Sequence, residues 1–235
     1  MKDRIRGGET LIGAAIPMKS DADWLKSVVE RRPYDFVSVD GQHAPYNEDR
    51  LVAFCEISEK LGVHVQFRIK HTRHTYLVGN ILDLGPSGVE VPQVELESTV
   101  DEAVANFYYP QRGVRSWGGT TRIGLGDRPE IHEYAQWWAE TGVLWMQIES
   151  VQAVSNARKL AKLGVDCLSF GPADLKLSLE AQPNHPFKDI DDCARYVLGE
   201  LDGTGVRPCM RISDPSVAQK YLDMGVTMLL EQGVS

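Results

Sequence analysis

Four residues stand out as able to do chemistry: Glu149, Asp174, His43 and Arg68. Glu149 lies in Gln147-Ile148-Glu149-Ser150 and Asp174 in Gly171-Pro172-Ala173-Asp174, each just past a short apolar run. Two carboxylates brought side by side repel unless a proton or a cation separates them. Hard oxygen ligands completed by water suit Mg2+ or Mn2+. A solvated pair, or ion pairs with Arg68 and Arg211, satisfies the same spacing. Asp40 and His43 are three residues apart in Asp40-Gly41-Gln42-His43-Ala44-Pro45. A carboxylate near an imidazole fixes its tautomer and raises its basicity, the arrangement of a general base near neutral pH; a histidine that caps a helix or meets a loop carbonyl gives the same pattern. Arg68 is embedded in the apolar run Val63–Ile69. A guanidinium there cannot shed its charge and must meet an anion, from a ligand or from the protein.

These groups are positioned by an alternating pattern. Apolar runs at Leu11–Ile16, Phe36–Val39, Val63–Ile69, Gly88–Val91, Leu144–Ile148, Cys167–Phe170, Pro208–Ile212 and Thr227–Leu230 read as eight strands, apolar on both faces. Between them, segments such as Asp21–Arg31, Asn47–Lys60, Thr75–Leu84, Val151–Leu163, Ile190–Leu201 and Pro215–Asp223 read as helices, several stopped by a glycine. Strand–helix alternation implies right-handed crossovers and a parallel sheet. Eight strands in 235 residues predict an α/β fold, a single-domain (β/α)8 TIM barrel over 1–235, with the last helix missing or shortened. No glycine-rich dinucleotide fingerprint follows the first strand. In such a barrel the carboxyl ends of the strands share one mouth, and Asp40, Arg68, Gln147, Glu149, Asp174, Arg211 and Glu231 all fall there. The long irregular stretch Tyr108–Pro129 reads as a functional or interface loop, and Trp137, Trp138 and Trp145 as packing between helix and barrel. His71 and His74 read as parts of a polar loop.

Composition narrows the partners. With 25 basic and 33 acidic side chains the net charge is −8, which argues against a nucleic-acid surface. No apolar run is long enough to span a bilayer, and the charged N-terminus lacks a signal-peptide core. Cys55, Cys167, Cys193 and Cys209 are widely spaced, as buried free thiols of a cytoplasmic protein would be.

Five motifs in register resemble the HpcH/HpaI aldolase family of metal-dependent class II pyruvate aldolases: Asp40–Pro45, Phe67-Arg68-Ile69, Gly88–Pro92, Gln147–Ser150 and Gly171–Leu175. Tyr109–Ser116, with Gly113-Val114-Arg115, is similar to a further family stretch. The resemblance implies that Glu149 and Asp174 hold a divalent cation (Mg2+, Mn2+ or Co2+), with no organic cofactor. It implies that Gln147 serves the water ligands of that cation, that Arg68 meets the ketone oxygen of a 2-oxo acid, and that amides around Ala173 and Asp174 hold its carboxylate. Asp40 and His43 match the general-base pair. Asp83 matches an aspartate reaching a neighbouring subunit's site, which implies a homo-oligomer built on dimers, with the hexamer as a family form. The implied reaction is reversible aldol cleavage of a 4-hydroxy-2-oxo acid to pyruvate, or a related 2-oxo acid, and an aldehyde. Citrate-synthase-like or decarboxylating chemistry on the same enolate, or a non-catalytic barrel that binds a 2-oxo acid, are the alternatives. Gln42 stands where the family commonly has glutamate, and Lys70–His74 is more basic than usual.

Overall fold

The eight apolar runs become eight parallel strands in a computed structural model that describes residues 1–19 and 21–234. They are β1 (Leu11–Ala15), β2 (Phe36–Asp40), β3 (His64–Arg68), β4 (Gly88–Val91), β5 (Val143–Ile148), β6 (Cys167–Phe170), β7 (Arg207–Ile212) and β8 (Met228–Glu231). Each pairs with the next in chain order, and β8 returns to β1 with Leu11 opposite Met228, closing a (β/α)8 barrel.

Side chains alternate between the two faces of each strand. The outer set, including Val37, Val39, Phe67, Val89, Leu144, Ile148, Leu168 and Leu229, forms one core with the surrounding helices. The inner set forms a separate apolar layer at the lower end: Leu11, Phe36, Val143, Trp145, Cys167, Cys209, Met228 and Leu230. A short helix, Lys2–Arg6, closes this end by placing Ile5 against that layer. Its Lys2 is buried beside Asp166, 3.4 Å away. Trp145 therefore lies inside the barrel, edge-on to Phe36 at 5.3 Å, whereas Trp138 is buried between helix and barrel and Trp137 packs half-buried against the same core, as expected of all three tryptophans.

Above the apolar layer the interior turns polar. Ser38, Gln66, Glu90, Gln147, Ser169 and Arg211 are all buried there. The expectation of strands apolar on both faces holds outside the barrel and in its lower half; in the upper half inward side chains hydrogen-bond to one another, leaving Gln66 Nε2 and Arg211 Nε without a protein partner.

Among the helices, Ala22–Arg31 and Glu48–Lys60 begin on the capping side chains of Asp21 and Asn47, and Ile190–Leu201 begins on Asp189. Three expected helices are irregular. Thr72–Leu77 is a 3₁₀ turn started by His71, whose Nδ1 accepts from the Arg73 amide at 3.0 Å, before the helix Val78–Leu82. The segment after β5 breaks at Asn156, whose amide group instead donates to the Glu95 carbonyl at 2.9 Å. Pro215–Val217 is likewise 3₁₀ before Ala218–Met224. That last helix ends on Gly225, whose φ of 106° only glycine adopts readily. Glu97–Phe107, Ile131–Thr141 and Pro172–Ala181 are further helices.

Residues 108–129 contain no helix or strand, yet the segment is pinned by arginines on aromatic faces. Arg122 stacks on Trp117 at 3.9 Å and Arg115 on Tyr109 at 4.8 Å, and both arginines are buried. The four cysteines are free and buried.

Candidate active site

Strand register explains the first half of the site. Asp40 on β2 is the direct partner of Arg68 on β3, and Arg68 is the partner of Glu90 on β4. Neighbours in a parallel sheet point the same way, so these groups share the barrel interior. Arg68 donates Nε to Asp40 Oδ1 at 2.9 Å and Nη2 to Oδ2 at 2.6 Å. Its Nη1 crosses the barrel to Gln147 Oε1 at 3.1 Å. Burial opposes the Asp40 charge, but the fork and field of Arg68, helped by the Gln42 and His43 amides, outweigh it and hold the carboxyl below its usual range. Arg68 is more firmly protonated in turn: burial opposes its charge, and Asp40, Glu90 and Glu149 overcome that.

This arrangement changes the expected role of Asp40. Its Oδ2 reaches His43 through the backbone amide at 3.4 Å, and its two oxygens are otherwise committed to the guanidinium and the Gln42 amide. Asp40 therefore orients Arg68 and ties down the loop that carries His43; among the described residues it makes no hydrogen bond to the imidazole. The His43 side chain is exposed and lines the mouth.

Glu149 and Asp174 stand on the far side of the same mouth. Glu149 is 6% exposed, and its Oε1 accepts the Gln93 amide at 2.9 Å. Gln93 reaches it in a left-handed conformation, φ 52°, that non-glycine residues seldom take. Burial first, and then the Asp174 and Glu90 charges, push the Glu149 carboxyl up to about 7, while Arg68 and the Gln93 amide pull it back. Gly171 makes room: a β-carbon there would lie 2.7 Å from Glu149 Cβ and 2.9 Å from Gln147 Nε2. It also opens the helix Pro172–Ala181, whose N-terminus no side chain caps. Amides of Ala173 and Asp174 thus face a cavity of about 440 Å³ lined also by His43, Arg68 and Gln147.

The two arginines offered as partners for this carboxylate pair are engaged elsewhere. Arg68 is on Asp40, and Arg211 donates Nη2 to Glu90, which also accepts the Ser169 hydroxyl. Spacing alone does not single out Glu90. Its signal is the one that marks Arg68, a charged residue within a four-residue apolar strand, Gly88–Val91. Glu231 faces outward and pairs with Arg32 and with Tyr34 Oη at 2.8 Å, away from the mouth. Asp83 is also absent from the cavity lining: Arg115 Nη2 donates to it at 2.8 Å under residues 108–129. Burial raises its carboxyl against the pull of that arginine.

Five carboxylates (Asp40, Glu90, Glu149, Asp174, Asp214) meet two guanidiniums (Arg68, Arg211) around one mouth, so the fixed charges sum to 2 − 5 = −3 when all are ionised. The donor set fits a hard divalent cation held by Glu149 and Asp174 that keeps several waters. Among the described residues no group of three or more His, Cys, Asp or Glu side chains is placed to enclose a metal ion. Two carboxylates with open positions suit a cation that must also meet substrate.

A (β/α)8 barrel whose strand ends gather carboxylates, an arginine and an uncapped helix N-terminus has the architecture of an enzyme site at that mouth. A profile of the HpcH/HpaI aldolase/citrate lyase family matches residues 18–226, and the chain belongs to that family of lyases. It is 32% identical over 204 residues to a hydroxypyruvate/pyruvate aldolase of Delftia acidovorans, covering 86% of this chain and 75% of that one. A 4-hydroxy-2-oxovalerate aldolase of Rhodococcus jostii is 27% identical, over 97% and 87% of the two chains. The crystal structure of an HpcH/HpaI aldolase from Desulfitobacterium hafniense superimposes with a TM-score of 0.85 at 27% identity, covering 100% and 90%.

Proposed function

We propose that this enzyme cleaves a 4-hydroxy-2-oxo acid reversibly to pyruvate, or a related 2-oxo acid, and an aldehyde. The observation that carries the reading is Asp174 and Arg68 lining one cavity at a helix N-terminus, with the buried Glu149 carboxyl close enough to feel the charges of both. Glu149 and Asp174 would hold a divalent cation (Mg2+, Mn2+ or Co2+), whose chemistry when bound is Lewis-acid polarisation of the ketone. The amides of Ala173 and Asp174 bind the substrate carboxylate, as helix N-termini do. Arg68, locked by Asp40 and Gln147, presents fixed positive charge where the ketone oxygen gains negative charge. His43 takes the 4-hydroxyl proton. The C3–C4 bond then breaks, its electron pair passes into the enolate of the 2-oxo acid, and C3 is finally protonated.

Asp83 is proposed to act from one subunit on a neighbour's mouth within a homo-oligomer built on dimers. The same reading places the protein in the cytoplasm; no helix of the described residues is long and apolar enough to cross a membrane.

The test is exchange of pyruvate methyl protons with deuterium, followed by NMR on protein loaded with Mg2+, Mn2+ or Co2+. Exchange that chelator abolishes and Glu149→Ala lacks supports the enolate reading, and pyruvate release from a 4-hydroxy-2-oxo acid supports aldol cleavage. No exchange with any of the three cations would leave a barrel that binds and does not turn over.

A further inference from the structure

Arg211 has no task in the chemistry just described, yet it sits in its mouth. It is the inward residue of β7, its side chain is 6% exposed, and it lines the same cavity as Arg68 and Asp174. Its Nη2 is held by Glu90, and its buried Nε has no partner in the protein. Arg68 differs: its Nε, Nη1 and Nη2 are all engaged by Asp40 and Gln147. Of the acids that share the cavity, Asp214 is turned to its own loop, accepting from the Ser216 amide at 2.8 Å and hydroxyl at 2.7 Å. Directly beside and beneath Arg211 the interior is apolar, with Leu230 as its register partner on β8 and Cys209 below it on β7.

A charged pair is a poor way to fill such a place. Burying a carboxylate and a guanidinium costs desolvation that apolar side chains of the same volume avoid. Glu90 binds Arg211 by one edge and Ser169 fixes Glu90 from the other side, which orients the guanidinium without exhausting its donors. A guanidinium held this way is suited to a carboxylate. The 2-oxo acid's own carboxylate is already taken by the helix N-terminus.

We propose that Arg211 binds a second carboxylate on the substrate, so that the molecule cleaved is a diacid. This rests on the function proposed above. The second carboxylate comes from either the aldehyde or the carbon next to the ketone, since both fragments share the cavity.

The experiment compares matched pairs on the metal-loaded enzyme. In the acceptor arm pyruvate is condensed with 4-oxobutanoate or with butanal; in the donor arm oxaloacetate or 2-oxobutanoate is offered with one uncharged aldehyde. We expect kcat/KM to favour the carboxylated member of one pair, and the Glu90→Gln, Arg211→Met double variant to reduce that preference by roughly 10- to 100-fold. The double variant avoids stranding the Glu90 charge. Arg211→Lys, which keeps charge without the fork, should fall between; should the double variant fail to fold, the wild-type ratio and this protein decide. A wild-type ratio near one in both arms, or a ratio that the variants leave unchanged, overturns the proposal. Wild-type methyl exchange with no preference sinks this inference alone, whereas absence of exchange and of turnover sinks the aldolase reading and this inference with it.

Discussion

At the scale of single residues, the site is a set of charges that restrain one another. Asp40 is spent on Arg68, Glu90 on Arg211, and Glu149 is left with a neighbour of its own sign. The sequence showed Arg68, Glu149 and Asp174 because charges or strand-end acids interrupt apolar runs. It did not show which anion each arginine meets, because spacing along one strand says nothing of the register between strands. The same register explains why Asp40, expected on the His43 ring, lies against Arg68 instead. A further residue prediction concerns His64, at the start of β3, whose Nε2 lies 3.4 Å from Gln66 Oε1. Burial, with a smaller push from the N-terminal charge, holds it down to about 4 despite Gln66. A histidine whose folded value lies below its unfolded value of about 6.5 costs nothing at pH 7. As pH falls from 6.5 towards 4 the unfolded chain takes up the proton first, and stability is lost, by about 2 kcal/mol at pH 5 from this group. Urea melts at pH 7 and pH 5 should therefore show a smaller loss for His64→Gln than for wild type; equal losses would remove His64 from the account.

At the scale of elements, the strand runs and most helices were legible because glycine stops, capping residues and apolar periodicity all agree. Ile190–Leu201 begins and ends where the pattern places it. The segment Val151–Leu163 was not, because its apolar spacing continues through Asn156 while the side chain of that residue prefers a carbonyl on another loop. The polar upper interior was hidden for a related reason: short strands with one charged residue in four or five still read as apolar. The junction of β6 with Pro172–Ala181 supplies the element-scale test. Gly171 is the one position where a methyl group would press on both Glu149 and Gln147. Gly171→Ala should keep the barrel, by circular dichroism, and lower methyl exchange by about 100-fold, on the order expected when a reacting geometry shifts by an ångström. Exchange at wild-type rates in that variant would show that the carboxylate position is not critical.

At the scale of the whole molecule, the barrel has two chemically distinct ends. The lower is apolar and plugged by Ile5; the upper is polar and open at the mouth. Net charge, which argued against nucleic acid, does not describe this mouth, where paired ions, and the cation proposed for Glu149 and Asp174, decide the local sign. The arginine-on-aromatic segment 108–129 separates β4 from β5 in the chain, and many polar ties cross that division, among them the buried Lys2 with Asp166, Arg68 with Gln147, and Glu90 with Arg211. Each half of the barrel thus holds one member of every pair. Cut between residues 126 and 127, neither piece could bury its share of charge alone, since an unpaired buried ion costs more than its pair returns. Expressed together, the two pieces should reassemble with native circular dichroism, and each by itself should fail to give a cooperative melt. A half that folded independently would contradict this. The ions that shape the mouth are then also what makes each half incomplete, so that recognition of the substrate and recognition of one half of the chain by the other use the same charges.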